Sequence, residues 1–134
     1  LQEQYEAKNI SLTPGGSVTI KMKICASVKE FEVSLGEKEE DLALHFKSQF
    51  SGPGSRTIVL NSRHAGCWQS EQRYSNFPFQ QGTDTKVVIN FSASGFEVEL
   101  PDGQKLSFPN RQGFKKLTYM SVKGHIRVKS LKIQ

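Results

Sequence analysis

The sequence has little of what cofactor chemistry, membranes or cross-linked scaffolds require. Two cysteines occur in 134 residues, Cys25 and Cys67. They allow one disulfide at most, which a chain long enough to bury its own core does not need, so free thiols in a reducing compartment are the expectation. No histidine or cysteine spacing suits zinc and no glycine-rich loop suits a phosphate, so neither metal nor cofactor is expected. No apolar run is long enough to span a bilayer, which argues against membrane insertion. The N-terminal "LQEQYEAKNISL" lacks the basic start and apolar centre of a secretion signal, so the secretory route is not expected. Asn9-Ile10-Ser11 and Asn90-Phe91-Ser92 match the glycosylation pattern but are accordingly expected to stay unmodified. A helical period is missing throughout.

What is present is the two-residue period of strands. In "SVTIKMKIC" the apolar Val18, Ile20, Met22 and Ile24 alternate with Thr19, Lys21 and Lys23, the pattern of a half-buried strand. The same alternation recurs with Phe31, Val33 and Leu35, with Leu42, Leu44 and Phe46, and with Phe96, Val98 and Leu100. "TPGGS", "SASGF" and "LPDGQKL" supply turns, and "GEKEEDL" reads as a charged, solvated connection. The closing "HIRVKSLKI" alternates until its phase shifts by one residue at Ser130, which predicts a bulge, and a terminal strand of this kind belongs at a sheet edge. With 36% hydrophobic residues and no internal linker, these features predict one all-β domain over residues 1–134, a two-sheet antiparallel sandwich or jelly roll. The formal charge is +5 and the pI about 9.3. The lysines are scattered, most densely between Lys115 and Lys132, as on a solvated surface, and no recognition pattern points to nucleic acid.

One segment resists a core assignment. "GCWQSEQRYSNFPF" carries the single tryptophan, Trp68, beside Glu71 and Arg73, and is too polar for an interior strand. Upstream, "LALHFKSQF" sends His45, Lys47 and Gln49 to the face opposite Leu42, Leu44 and Phe46, and "TIVLNS" adds Asn61. An aromatic platform among hydrogen-bonding groups suits carbohydrate. A pyranose offers an apolar face for stacking on the indole and a rim of hydroxyls that both donate and accept.

Taken in order, "LALHFKSQF", "TIVLNS", "GCWQSEQRYSNFPF", "LPDGQKLSFPNR" and "LTYMSVKGHIRVKSLKI" resemble the galectins over nearly the whole chain. The resemblance implies a jelly-roll sandwich that binds glycans without metal. It further implies a homodimer formed through the terminal strands, and a cytoplasmic protein that can leave cells without a signal peptide. The family site begins H-x-N-x-R, continues with an asparagine, and ends W-x-x-E-x-R. His45, Asn61, Trp68, Glu71 and Arg73 match it, whereas Lys47 stands at the asparagine position and Gln49 at the arginine position. Those two, with the histidine, are the positions that read the axial 4-hydroxyl of galactose in the family, while the Asn61 and Glu71 positions hold the 6-hydroxyl. A neutral glutamine lacks the rigid fork of an arginine, and a flexible ammonium orients less sharply than a guanidinium.

Three functions are therefore weighed. A lectin with weakened β-galactoside binding, open to sugars with an equatorial 4-hydroxyl such as mannose or glucose, is preferred. A non-binding interaction protein on the same fold is the alternative. A glycosidase using Glu71 with Glu97 or Glu99 would need one carboxyl held protonated, and Arg73 beside Glu71 favours the ionised form. A Cys67 nucleophile with His64 as base lacks an evident orienting group. The expectation is a binding protein and not an enzyme.

Overall fold

A computed structural model describes residues 2–134. Twelve strands form two antiparallel sheets, with no helix among the described residues. In chain order they are β1 (Glu3–Leu12), β2 (Ser17–Ile24), β3 (Glu30–Lys38), β4 (Asp41–Gln49), β5 (Thr57–His64), β6 (Cys67–Trp68), β7 (Gln72–Tyr74), β8 (Asp84–Phe91), β9 (Gly95–Glu99), β10 (Lys105–Pro109), β11 (Leu117–Gly124) and β12 (Ile126–Ile133). The seven-stranded sheet runs β1-β11-β3-β4-β5-β6, with β7 also paired to β5. The five-stranded sheet runs β10-β9-β8-β2-β12. Both terminal strands are sheet edges, as expected for β12.

The alternating apolar residues meet between the sheets. Val18, Ile20, Met22 and Ile24 of β2 face Phe31, Val33 and Leu35 of β3 across a fully buried core. Phe77 and Phe79, which follow the Trp68 segment, plug one end of it. Phe79 meets Phe31 edge-on at 5.2 Å between centroids, and Phe77 meets Phe50 at 4.8 Å. Burying a phenylalanine stabilises by roughly 1.5–3 kcal/mol, and an edge-on ring contact adds about 0.5–1.5 kcal/mol. The polar segment "GCWQSEQRYSN" is thus anchored at its C-terminal end, where Tyr74 also packs against the core, while Trp68, Glu71 and Arg73 stay outside.

Two local differences from the sequence reading matter. The "GEKEEDL" connection is shorter than expected, because Lys38 already pairs with Asp41 and only Glu39 and Glu40 form the turn. Register shifts flank Gly36 on β3 and fall between Leu42 and His45 on β4. A side chain at Gly36 would run into the backbone of Asp41 and Leu42, so glycine permits this close crossing. In consequence Ala43 and Leu44 enter the core, whereas Leu42 lies on the outer face with Ser34, His45 and Arg63. The alternation had sent Leu42 inward; the bulge re-aims it. On β12 the register shifts between Val128 and Ser130, where the bulge was expected.

Candidate functional site

Trp68 comes to the outer face of the seven-stranded sheet through a hairpin that the sequence did not announce. Arg63 pairs with Trp68 and His64 with Cys67, leaving Ala65 and Gly66 as a two-residue turn with φ of 49° and 80°. Positive φ at both central residues matches the right-handed twist of the flanking strands. Alanine is unusual there, and the turn is braced from outside. Ala65 N donates to Asp41 Oδ1 at 2.8 Å and Gly66 N to the Glu40 carbonyl at 2.9 Å. The indole is 48% exposed. The His45 ring centroid lies 4.7 Å from it with planes at 54°, and the Arg63 guanidinium carbon lies 5.0 Å from its centre. Nearly half an exposed tryptophan on a rigid hairpin is an open seat for a flat apolar ligand.

Beside it lies a cavity of about 580 Å³ lined by Glu32, His45, Lys47, Asn61, Trp68 and Glu71, among others. Asn61 is nearly buried, and its hydrogen bonds define what it can offer. Its Oδ1 accepts from Ser62 N at 2.7 Å and from Arg111 Nη1 at 3.5 Å, and its Nδ2 donates to the Gln69 carbonyl at 3.2 Å. One N–H remains for a ligand. Glu71 receives both Arg73 Nη2, at 2.9 Å, and Arg73 Nε, at 3.1 Å, on the same oxygen, Oε1. Its Oε2 remains as an acceptor. A free donor and a free carboxylate oxygen beside an aromatic platform can hold one hydroxyl that accepts from Asn61 and donates to Glu71.

The two substituted positions are engaged elsewhere. Lys47 Nζ lies 3.0 Å from Glu30 Oε2 on β3, not against Glu71. Gln49 turns its amide into the loop after β4, donating to the Pro53 carbonyl at 2.8 Å and the Ser51 carbonyl at 3.3 Å. Of the seven residues expected at the site, His45, Lys47, Asn61, Trp68 and Glu71 line the cavity, Arg73 acts on it through Glu71, and Gln49 faces away.

Glu32 was not anticipated. It lies on β3 between Phe31 and Val33, so the pleat places it on the same outer face as His45. Its Oε1 is 3.5 Å from His45 Nε2 and its Oε2 is 3.3 Å from Lys123 Nζ. His45 Nδ1 is hydrogen-bonded to Ser34 Oγ at 2.9 Å, so both ring nitrogens have partners. Burial alone would raise the Glu32 carboxyl, but the hydrogen bond and charge of His45, followed by the charge of Lys123, hold it down at about 2. It is a fixed carboxylate in the floor of the groove. Arg111, from the "FPNR" segment, was also missed as a contributor. It stacks 4.5 Å over Phe108 and donates to Ser62 Oγ at 3.1 Å, locking the strand that carries Asn61. Past Glu32 the groove continues towards β1, over Ser34, Arg63, Tyr119 and Lys123. Tyr119 donates to Glu6 Oε2 at 2.6 Å, and burial together with that carboxylate pushes its hydroxyl up to about 12.

Known proteins place this architecture. The family model of the galactoside-binding lectins matches residues 4–133. The chain is a galectin. Mouse galectin-2 is 39% identical over the full length of both chains. Among solved structures, CG-16, a homodimeric agglutinin from chicken liver, matches with a TM-score of 0.94 at 35% identity, covering 98% of this chain and 100% of that one. The complex of toad ovary galectin with thio-digalactose matches with a TM-score of 0.93 at 33% identity over 98% of each chain. The sandwich expected from the alternating strands is thus the galectin sandwich, and carbohydrate binding is the function of its fold.

The galectin relatives are lectins, which fits the expectation of a binding protein. The catalytic pairings find little geometric support. Glu97 and Glu99 lie on β9 of the other sheet, whereas Glu71 lies beside β6 and β7 of the seven-stranded one. Asp41 Oδ1 does approach His64 Nδ1, at 3.6 Å, yet His64 and Cys67 meet as backbone partners in the ladder and no side-chain hydrogen bond joins them among the described residues.

Proposed function

We propose that this galectin is a glycan-binding lectin whose β-galactoside preference is weakened and which accepts sugars with an equatorial 4-hydroxyl. The supporting observation is the contrast within the groove. Trp68, Asn61 and Glu71 offer an open platform, one N–H and one carboxylate oxygen, while Lys47 and Gln49 are tied to Glu30 and to loop carbonyls. A site discriminates strongly between epimers only when its polar groups are aimed at the hydroxyl that differs. Here His45 alone keeps that position, and its Nε2 is shared with Glu32. Glu32 adds an acceptor in the floor for a hydroxyl from any epimer, and its fixed negative charge disfavours anionic sugars at that end of the groove.

Trp68 is the only tryptophan, so its fluorescence reports directly on the seat. Titration with lactose, galactose, methyl mannoside and methyl glucoside is expected to give millimolar constants within about tenfold of one another, near 4 kcal/mol of binding free energy. Lactose bound in the micromolar range with the others silent would refute the altered preference. Silence toward all four would favour the second reading, a non-binding interaction protein, to which the ties on Lys47, Gln49 and His45 lend support.

The assembly we propose is a homodimer through the terminal strands. Tyr5, Trp68 and Leu131 are the large apolar side chains exposed among the described residues. Trp68 belongs to the groove; Tyr5 and Leu131 lie on β1 and β12, the free edges of their sheets. Unpaired edges with exposed apolar side chains invite a second copy, and two grooves per assembly would cross-link glycans and compensate for modest single-site affinity. Sedimentation velocity on the wild type and on Leu131→Glu tests it: a dimer converted to monomer is the expected result. Cytosolic residence with signal-independent exit remains part of the proposal, and the free thiols of Cys25 and Cys67 suit a reducing compartment.

A further inference from the structure

The scattered lysines of the sequence are not scattered in space. On β2 the core takes Val18, Ile20, Met22 and Ile24, so Lys21 and Lys23 point outward, and Lys86 of β8 and Arg127 and Lys132 of β12 do the same. Lys129, the bulge residue of β12, reaches across β2 to Asp84 of β8 at 2.9 Å. Six exposed cations therefore share the outer face of three adjacent strands, with Asp84 as the acid among them. This strip carries +5, which is the formal charge of the whole chain. Removing its six cations from the 18 and its one acid from the 13 leaves twelve of each sign, so the remainder of the molecule is balanced.

The register makes the crowding unfavourable. Lys21 lies directly opposite Lys86, and Lys23 lies directly opposite Arg127 on one side with Asp84, already paired to Lys129, on the other. Like charges at directly opposed positions destabilise a sheet. Apart from Lys129, no strip cation forms a salt bridge among the described residues. The nearby acids other than Asp84 are engaged elsewhere: Glu99 of β9 accepts from Asn90 Nδ2 at 2.6 Å, Glu97 lies 4.0 Å from Lys105, and Glu3 of β1 accepts from the backbone N of Val128 at 3.1 Å. Sheet geometry spreads the strip over about 10 Å across the strands, with about 7 Å between successive outward residues of one strand. A recess of about 380 Å³ opens on it, lined by Lys21, Lys86 and Lys129 together with Asp84 and Pro101.

We infer that the outer face of β12, β2 and β8 is a second glycan site, one that binds sulfated glycosaminoglycan chains, separate from the Trp68 groove on the other sheet. A polyanion removes the repulsion between the opposed pairs and releases its own counterions on binding. The composition of the strip selects among polyanions. Its outward residues include no aromatic, so a single-stranded nucleic acid has nothing to stack on, and a flat sheet offers no helix to enter a duplex groove. It has no apolar row to enter a membrane. Five of its six cations are lysines, compact point charges suited to isolated sulfates, with Thr19 and Ser130 beside them to bond hydroxyls.

Heparin-affinity chromatography over a sodium chloride gradient tests the inference. The wild type is compared with a strip variant, Lys21→Ser/Lys86→Ser/Arg127→Ser, and with a control of equal charge change elsewhere, Lys8→Ser/Lys115→Ser/Lys116→Ser. The strip variant is expected to elute at much lower salt and to bind with a log–log salt slope reduced by about two to three, while the control stays near the wild type. Its tryptophan titration with simple sugars is expected to be unchanged, which also verifies folding. Equal losses in both variants would mean that net charge alone drives retention and would overturn the site. Elution of the wild type shifted by saturating lactose, or abolished by Trp68→Ala, would place heparin in the groove and overturn it as well. Single-stranded DNA–cellulose retaining the wild type at higher salt than heparin, with the same dependence on the strip, would overturn the ligand class.

Discussion

The outer faces of the two sheets are built from the same alternating strands and handle charge in opposite ways. On the seven-stranded sheet nearly every charge has a partner: Lys47 with Glu30, Lys123 with Glu32, Arg73 with Glu71. On the five-stranded sheet six cations of β2, β8 and β12 crowd together with Asp84 as the acid among them, while Glu97 and Glu99 are kept to β9. Paired charges hold polar side chains in fixed positions, which a site needs if it is to recognise the hydroxyl pattern of a neutral sugar. Uncompensated charges fix no geometry but create a field, which a chain of sulfates can answer without exact placement. The difference teaches that recognition by shape and recognition by charge divide between the faces of one small sandwich.

Substitutions can break or sharpen this contrast. The largest effect is expected from Trp68→Ala, which should abolish detectable binding of every sugar the wild type binds, by calorimetry, while leaving the unfolding free energy within about 0.5 kcal/mol because the indole is largely outside the core. A collapse in stability would show that the indole holds the fold. Next comes Glu32→Gln. The folded carboxyl sits at about 2 against an ordinary 4.5, so its stabilisation is fully present above pH 4.5 and is lost as pH falls through 2. The variant should be less stable than the wild type by about 1–2 kcal/mol at pH 7, solvent screening reducing the full value of the shift, with the two urea-denaturation curves converging between pH 4.5 and 2. Curves that stay parallel through that window would remove Glu32 from its assigned ion pairs. A smaller effect is expected from Arg111→Met, which frees the strand around Asn61 and should weaken sugar binding about three- to tenfold with no change in heparin elution. The smallest is Lys21→Thr on the other face. Relieving one opposed pair should raise the melting temperature by about one or two degrees at low salt and by nothing at high salt. A lower melting temperature at low salt would mean that Lys21 has a partner.

How much of this was legible follows the physics of each element. Strands with strict alternation, such as β2, could be read because core contact fixes their phase. The edge strand β1 carries only Tyr5, Ala7, Ile10 and Leu12 among polar residues, and Asn9 interrupts it with φ of 62°. Its pattern is too faint for periodicity to find. Leu42 was sent to the wrong face because the register shift near Gly36 depends on a close backbone crossing. Trp68, Glu71 and Asn61 were legible through the galectin pattern that they match, while Glu32 and Arg111 were not, since they reach the groove from β3 and from the loop after β10. The strip on β2, β8 and β12 was hidden for the same reason: strands distant in sequence become neighbours only when the sheet order is known.

The measurement closest to the centre of the account is a calorimetric titration with lactose of the wild type and of Lys47→Asn/Gln49→Arg side by side. Freeing the two positions from Glu30 and from the loop carbonyls, and restoring an arginine fork beside Glu71, is predicted to raise lactose affinity by tenfold or more from a millimolar starting point. A wild type that already binds lactose at micromolar concentration, with a double variant no tighter, would contradict it.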